Sequence, residues 1–304
     1  MRPRPASSDI PRAARRLAAA ALRRGRLLLG AIVLLAAAAP HARAVTVSPS
    51  ALYIDHRTRS GVLTLINTGT RAEEIEIGFA FGYPRADSLG NVTVQLLDSV
   101  PTGEPSAVAW LRAFPRRIRL EPGQRQAVRV LVQPPAGLAP GEYWARILVR
   151  SRGAQPPIEQ QQGDIKLQVE VETVIATAVS YRNGEVSTGL AEKALRASAA
   201  ADSLVRVWMS LSRQGNAAFL GHVRSELVNP SGDVVARTED DIAVYRDMER
   251  KFEIVLPPEL RGRSLAGYRV RYLIDTTRPD LPPGGPLPAP PRQGTVAVTE
   301  PAPR

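Results

Sequence analysis

The amino-acid sequence predicts an all-β protein in which two β-sandwich domains follow a signal peptide in tandem. Three observations support this prediction: an export-like leader, a series of short strand-like runs from residue 45 onward, and a second series after Asn183-Gly184. Short strands at regular spacing, separated by turn residues, are typical of antiparallel sandwiches. The predicted organisation is a signal peptide at 1–44, a first domain at 45–182 and a second domain at 183–300 with a proline-rich segment at 279–291.

The first 44 residues have the three parts of a signal peptide. An apolar core occupies 27–39, and Ala42-Arg43-Ala44 supplies the small residues that a signal peptidase requires. A basic head precedes the core, with arginines at 15, 16, 23, 24 and 26. We therefore expect export, with cleavage after Ala44. The core is shorter than the roughly 18 to 20 residues that span a bilayer, so a retained anchor is the less favoured alternative.

Most of the excess positive charge belongs to the leader. The whole chain has 40 basic and 29 acidic residues, a formal net charge of +11. The leader holds nine arginines and one aspartate, which leaves 31 basic and 28 acidic residues, a net charge of +3, for the mature chain. So small a charge does not predict the basic surface that phosphate backbones require, and nucleic acid is not expected as a partner.

The mature sequence contains no pattern of an active site or a metal site. It has no cysteine, which excludes disulfides, thiol nucleophiles and zinc knuckles. His56 and His222 lie in different predicted domains, and the acidic run Glu239-Asp240-Asp241 is interpreted as a solvated loop, since consecutive strand residues point to opposite faces. No nucleophile stands beside a base, so we expect no enzyme, catalytic residue, metal, cofactor or small-molecule substrate.

The strand-like runs are bounded by turn residues throughout both predicted domains. In the first domain they occupy 45–47, 52–54, 61–66, 74–81, 91–96, 116–120, 126–132 and 142–149. In the second domain they occupy 204–212, 219–228, 234–236, 242–245, 252–256 and 268–274. Strand-forming residues fill these runs, and Gly, Pro, Asn and Asp are concentrated between them.

Two segments do not fit this series. Residues 190–204 are rich in alanine, and a strand followed by a long loop or a short surface helix fits them equally well. Segment 279–291 contains seven prolines and two glycines, which prevents strand pairing and favours a solvated spacer over a ligand for a proline-recognising partner. Residues 293–299 are then expected to return as an edge strand.

The run from Asp164 to Tyr181 is the most distinctive stretch of the chain. Apolar and polar residues alternate with a period of two up to residue 172, and the run then becomes predominantly apolar. Such alternation is typical of a strand with one apolar and one wet face. A strand of about 18 residues, where five or six are usual, either follows a whole domain edge or offers its apolar face to another molecule.

Both predicted domains contain motifs whose order and spacing are informative. In the first domain the motifs are Leu120-Glu121-Pro122-Gly123, residues 126–132, Gly141-Glu142-Tyr143 with residues 146–150, and Tyr181-Arg182. In the second domain they are residues 211–216, Ala243-Val244-Tyr245 and residues 268–272. Together these motifs resemble the PapD-like periplasmic pilus chaperones, in a branch without the two basic residues of their cleft. The resemblance covers most of residues 45–275 and is strongest between 116 and 183.

This resemblance implies two immunoglobulin-like domains and a function in donor-strand complementation, in which the chaperone lends a strand to a pilus subunit that lacks one. Backbone hydrogen bonds give affinity in strand addition, and alternate side chains fill a groove. The lending face would consist of Ile165, Leu167, Val169 and Val171. The period alone leaves open whether these side chains enter a partner or pack into the core of their own domain.

The resemblance also implies an ion-pair network between the domains. Glu121, Arg182 and Asp275 fall at the positions of its three members. Asn183 replaces a proline that usually follows the linker arginine, which implies a looser hinge.

The cleft is expected to differ from that of related chaperones. Ala51 and Ala178 stand at the positions of the two basic residues that grip the terminal carboxylate of a subunit. A carboxylate without a cationic partner loses charge-assisted hydrogen bonds. Arg57 and Arg59, in a nearby loop, are the candidates for supplying the missing charge.

The sequence therefore predicts a non-enzymatic, periplasmic, chaperone-like protein. Its expected partners are protein subunits of pili or related surface structures, and an outer-membrane usher is the further partner that the resemblance leaves open. The alternative is a structural or adhesive module of the cell envelope, in which the long strand stays paired within its own domain.

Overall fold

Nearly all regular structure in the chain is β-strand, as the alternating pattern predicts. The computed structural model describes residues 45–153, 158–162, 165–169, 171–200 and 203–300, with the backbone alone at 158–162 and 165–169. The predicted signal peptide lies outside these residues. The described residues belong to one compact unit, and no helix within them is long and apolar enough to cross a membrane.

The strands follow one another in chain order with short turns between most of them. The first series is β1 (Val45–Ser48), β2 (Ala51–Asp55), β3 (Ser60–Asn67), β4 (Glu73–Ala86), β5 (Val92–Leu97), β6 (Leu111–Phe114), β7 (Arg117–Leu120), β8 (Arg125–Val132), β9 (Gly141–Arg152), β10 (Ile158–Gln162), β11 (Ile165–Val169) and β12 (Glu172–Asn183). The second series is β13 (Thr188–Ala200), β14 (Leu204–Gly215), β15 (Phe219–Val228), β16 (Val234–Val244), β17 (Met248–Val255), β18 (Arg269–Asp275) and β19 (Arg292–Thr299).

The first series forms an immunoglobulin-like sandwich of two sheets. One sheet has the strand order β1-β3-β8-β6, and the other has the order β2-β12-β9-β4-β5, with β7 beside β4. Inward-facing residues of both sheets form one apolar core, in which Leu63, Val130, Ile77 and Ile147 are all buried. The apolar residues that alternate with polar ones along each strand therefore lie on the inner faces of the two sheets, as expected for a sandwich.

The second series is a second β domain around its own core. Its strand order is β16-β15-β18-β19-β13-β14-β17, and Val205, Phe219 and Val270 are among the buried core residues. The all-β prediction with two immunoglobulin-like sandwiches is confirmed. The predicted edge strand at 293–299 is not at an edge, because β19 pairs with β18 on one side and with β13 on the other.

Three local predictions differ from the structure. The long run from Asp164 does not form one continuous strand, since β11 pairs with β10 in a separate ribbon and Val171 lies between β11 and β12. In the alanine-rich segment 190–204, the described residues up to Ala200 form neither a helix nor a loop, because they belong to β13 and pair with β14. The acidic run Glu239-Asp240-Asp241 lies within β16 and not in a loop.

Candidate functional site

The most unusual feature of the first domain is an unpaired stretch of strand edge on β12. This strand pairs with β9 along its whole length, from Glu172 to Asn183. On its other side, β2 pairs only with residues Ala178 to Arg182. Within the described residues, positions 172–177 therefore have one free edge, about 20 Å long at roughly 3.3 Å per residue. Unpaired N–H and C=O groups at such an edge can pair with a strand of another chain.

The ribbon of β10 and β11 precedes this free edge. The two strands pair antiparallel, from Ile158 opposite Val169 to Gln162 opposite Ile165, and neither pairs with any other described strand. The side chains of the predicted lending residues Ile165, Leu167 and Val169 lie outside the described part of the structure. Because their positions alternate, the backbone register places all three on one face of the ribbon.

The side chains next to the free edge divide between partner-accessible and core positions. Val171, the fourth predicted lending residue, is 39% exposed, and Val174 is 46% exposed. Ile175 packs against the core of the first domain, and Val179 and Tyr181 are buried in it. The end of the long run, from residue 175 to residue 181, therefore contributes to the core of the first domain. The accessible apolar side chains are those of Val171 and Val174, just before it.

Ala51 and Ala178, the predicted cleft positions, are brought together by the structure. They are register partners in the parallel pair of β2 and β12. Arg146 on β9 is the other register partner of Ala178, and it is only 7% exposed. Its Nε donates to the carbonyl oxygen of Gly82 at 3.1 Å, and its guanidinium carbon is 6.0 Å from the centre of the Tyr245 ring. A cation therefore lies beside the two alanines, on the predicted strand whose motif at 146–150 the sequence interpretation quoted without a role for Arg146.

Arg57 and Arg59, the predicted substitutes, are exposed residues of the turn after β2. The carboxylate of Asp55 accepts the backbone N–H of Arg57 at 2.7 Å and that of Thr58 at 2.8 Å. These hydrogen bonds, with that of Thr58 the larger cause, hold the pKa of Asp55 below its ordinary value. The side chain of Arg59 folds back on its own turn, with Nε donating to the carbonyl of His56 at 3.2 Å.

A buried ion pair lies where the two domains meet. Glu142, at the start of β9, and Arg182, near the end of β12, are cross-strand partners, and Arg182 Nε donates to Glu142 Oε2 at 2.7 Å. The side chain of Glu142 is 1% exposed and that of Arg182 is 11% exposed. Glu142 also accepts from the indole Nε1 of Trp144 at 2.9 Å. Burial makes this pair costly to break, because either partner alone would be an uncompensated charge.

The predicted network of Glu121, Arg182 and Asp275 is not formed among the described residues. Glu121 pairs with Arg119 at 3.0 Å on the surface, and its side chain is 57% exposed. Asp275 accepts the backbone N–H of Thr277 at 2.8 Å. The acidic partner of Arg182 is Glu142, which the sequence interpretation quoted as part of a motif without a role. Its position opposite Arg182 in the β9–β12 pairing is the signal that identifies it.

An aromatic cluster joins the two domains around this ion pair. Phe81, Tyr83 and Trp144 come from the first domain, and Leu220 and Tyr245 come from the second. Tyr83 stacks on Tyr245 with ring centres 5.8 Å apart, and Trp144 meets Tyr245 edge to face at 4.8 Å. Burial raises the pKa of Tyr245. The domains therefore share an apolar contact in addition to polar ones.

Two arginines of the second domain flank the indole of Trp144. The guanidinium carbons of Arg213 and Arg246 each lie 5.8 Å from its ring. Arg246 pairs with Glu104 at 2.6 Å, whereas Arg213 donates to the carbonyl of Tyr245 at 3.0 Å. Desolvation, and then the charge of Arg246, lower the pKa of Arg213. The described residues contain no group of acidic and histidine side chains that could hold a metal ion.

Comparison with known proteins gives matches among solved structures. No protein-family model and no curated protein matches the chain. The YadV chaperone is 13% identical with a TM-score of 0.41, over 83% of this chain and 98% of that chain. The CupB2 chaperone of Pseudomonas aeruginosa is 11% identical with a TM-score of 0.40, over 84% of this chain and 100% of that chain.

A third match is to a complex from Acinetobacter baumannii. It contains a chaperone and a tip adhesion subunit, CsuC and CsuE, before assembly into archaic chaperone-usher Csu pili. The identity is 11% and the TM-score is 0.41, over 84% of this chain and 98% of that chain.

Proposed function

We propose that this protein is a periplasmic chaperone-like protein that binds subunits of pili or related surface structures by strand addition. The free edge of β12 at residues 172–177 carries the proposal. A subunit that lacks a strand can pair its own sheet with this edge, and β11 precedes the edge in the chain. The protein acts without catalysis and without a cofactor.

The accessible side chains at the edge support an apolar contact. Val171 and Val174 are both more than a third exposed, although valine is usually buried. Only 39% of Val171 and 46% of Val174 is exposed, so burying the remainder of both would contribute about 1 to 3 kcal/mol before ordering costs, at roughly 1.5 to 3 kcal/mol for a fully exposed side chain. Each new backbone hydrogen bond adds about 1 kcal/mol. The proposed binding therefore does not depend on the carboxylate grip that Ala51 and Ala178 lack.

A periplasmic pull-down of the tagged protein tests this function. In one variant, Leu167→Asp and Val169→Asp place two charges on the proposed lending face. In the matched control, Lys166→Asp and Gln168→Asp place two charges on the opposite face of the same strand. We expect the first variant to lose its co-purifying subunits and the control to keep them.

Equal recovery by both variants would contradict strand addition through this face. If no subunit is recovered with the wild type and the edge at 172–177 resists amide exchange in the lone protein, the alternative of a structural or adhesive module is favoured. Recovery of an outer-membrane usher together with the subunits would add the second proposed partner.

A further inference from the structure

The proline-rich segment 279–291, here called the strap, reaches from the second domain onto the first. It leaves β18 and returns as β19, so both of its ends belong to the second domain. Between them, the carbonyl oxygen of Asp280 accepts the hydroxyl of Ser50 at 3.3 Å, and Leu281 packs against the aromatic cluster at the junction. The strap is therefore not the solvated spacer that its composition predicts.

The strap is fixed at its start by an arginine. Arg278 ion-pairs with Asp280 at 2.7 Å and with Asp241 at 3.3 Å, and it donates to the carbonyl of Ile242 at 3.2 Å. The side chain of Arg278 is only 10% exposed. The hydrogen bond from Arg278 lowers the pKa of Asp280. These contacts direct the following residues toward the first domain.

The strap meets Arg182, the last ion-paired residue before the second domain. The two terminal nitrogens of the Arg182 guanidinium donate to the carbonyl oxygens of Gly284 and Gly285, while Nε is held by Glu142. The guanidinium carbon also lies 4.9 Å from the centre of the Tyr53 ring. Each of the three guanidinium nitrogens of Arg182 thus donates one hydrogen bond, and two of these bonds go to the strap.

The fit of the strap against Tyr53 requires glycine. A Cβ atom on Gly285 would come within 2.5 Å of Tyr53 Cε2 and 2.9 Å of the carbonyl oxygen of Pro282. Gly284 has φ +80° and points into open space. The two neighbouring glycines therefore differ: Gly285 provides the close approach, and Gly284 provides the turn.

We propose that the strap is a latch that fixes the first domain relative to the second through Arg182. In this role it replaces the predicted three-residue network, since Glu142 holds Arg182 from the first domain and the strap carbonyls hold it from the second. Seven prolines in the strap restrict its backbone, which lowers the entropy cost of keeping it in place. The latch acts whether or not a subunit binds, so its test is independent of the proposed function.

Electron–electron distance measurements on spin-labelled mature protein test the latch. The chain has no cysteine, so one label can be attached in each domain after Arg129→Cys and Arg237→Cys, at two exposed positions. Gly285→Ala should displace the strap and broaden the distance distribution at least twofold. Pro288→Ala is the matched control, because Pro288 is an exposed residue of the same strap and its replacement removes atoms without adding a steric overlap.

A second variant keeps the test decisive if Gly285→Ala does not fold. Leu281→Ser withdraws the apolar anchor of the strap without a steric overlap, and it should broaden the distribution in the same way. Wild-type distributions in the folded variants, or equal broadening in Pro288→Ala, would overturn the proposed latch.

Discussion

Replacing Glu142 by glutamine tests the buried ion pair at the domain junction. The change keeps the size of the side chain and an oxygen acceptor for Trp144, and it removes the negative charge 2.7 Å from Arg182 Nε. Removing one partner of a buried pair costs about 3 to 5 kcal/mol. Because Arg182 keeps two carbonyl acceptors in the strap, we expect the lower part of this range, a loss of about 3 kcal/mol in the free energy of unfolding.

Urea unfolding followed by tryptophan fluorescence measures this loss, and Trp144 reports directly because its indole donates to Glu142. Glu121→Gln is the control, since Glu121 was the predicted member of the network but is exposed and pairs with Arg119 on the surface. We expect its unfolding midpoint to match that of the wild type. The reasoning is refuted if Glu142→Gln also keeps the wild-type midpoint, or if the two variants lose the same stability.

Three further predictions follow from individual contacts. Asp280 has a lowered pKa, so its ion pair with Arg278 stabilises the folded state above its unfolded pKa of about 3.9 and is lost as the pH falls through the lower folded value. Asp280→Asn should therefore flatten the fall of the melting temperature between pH 5 and pH 3, and an unchanged slope would contradict this. A Cβ on Gly82 would overlap the carbonyl oxygen of Gln95, so Gly82→Ala should speed amide exchange in β5 but not in β8, whereas uniform exchange would exclude a local effect. Leu65 is 0% exposed in the first core, and Leu65→Ala should cost about 2 to 5 kcal/mol by chemical denaturation, with a loss below 1 kcal/mol arguing against this packing.

The strands of the first domain could be predicted because local pattern and burial agree there. In β8, Val128, Val130 and Val132 alternate with exposed or half-exposed residues, and all three are buried in the core. The region of the free edge of β12 could also be anticipated, because it lies within the run from Asp164 to Tyr181 that stands out in the sequence. The point at which that run divides into β11 and β12 could not be predicted, because it is set by where the partner strand β9 ends, at Arg152.

The junction was harder to predict because it depends on contacts between distant residues. Glu121 and Glu142 are both acidic residues near turn prolines and glycines, and only the pairing of β9 with β12 places Glu142 beside Arg182. The contact of the strap with Arg182 joins residues more than 100 positions apart. Composition correctly excluded strand pairing for the strap, but it carried no information on which surface the strap would cover.

The central position of β19 determines when the sheet of the second domain can be completed as the chain is synthesised. The first domain needs no residue beyond Asn183 to complete its sheets, so it can fold as soon as that part of the chain is free. The sheet of the second domain stays split between β18 and β13 until residue 299 has emerged. A chain that ends before residue 292 would therefore have two half-sheets in place of the second sheet, with unpaired edges at β18 and β13.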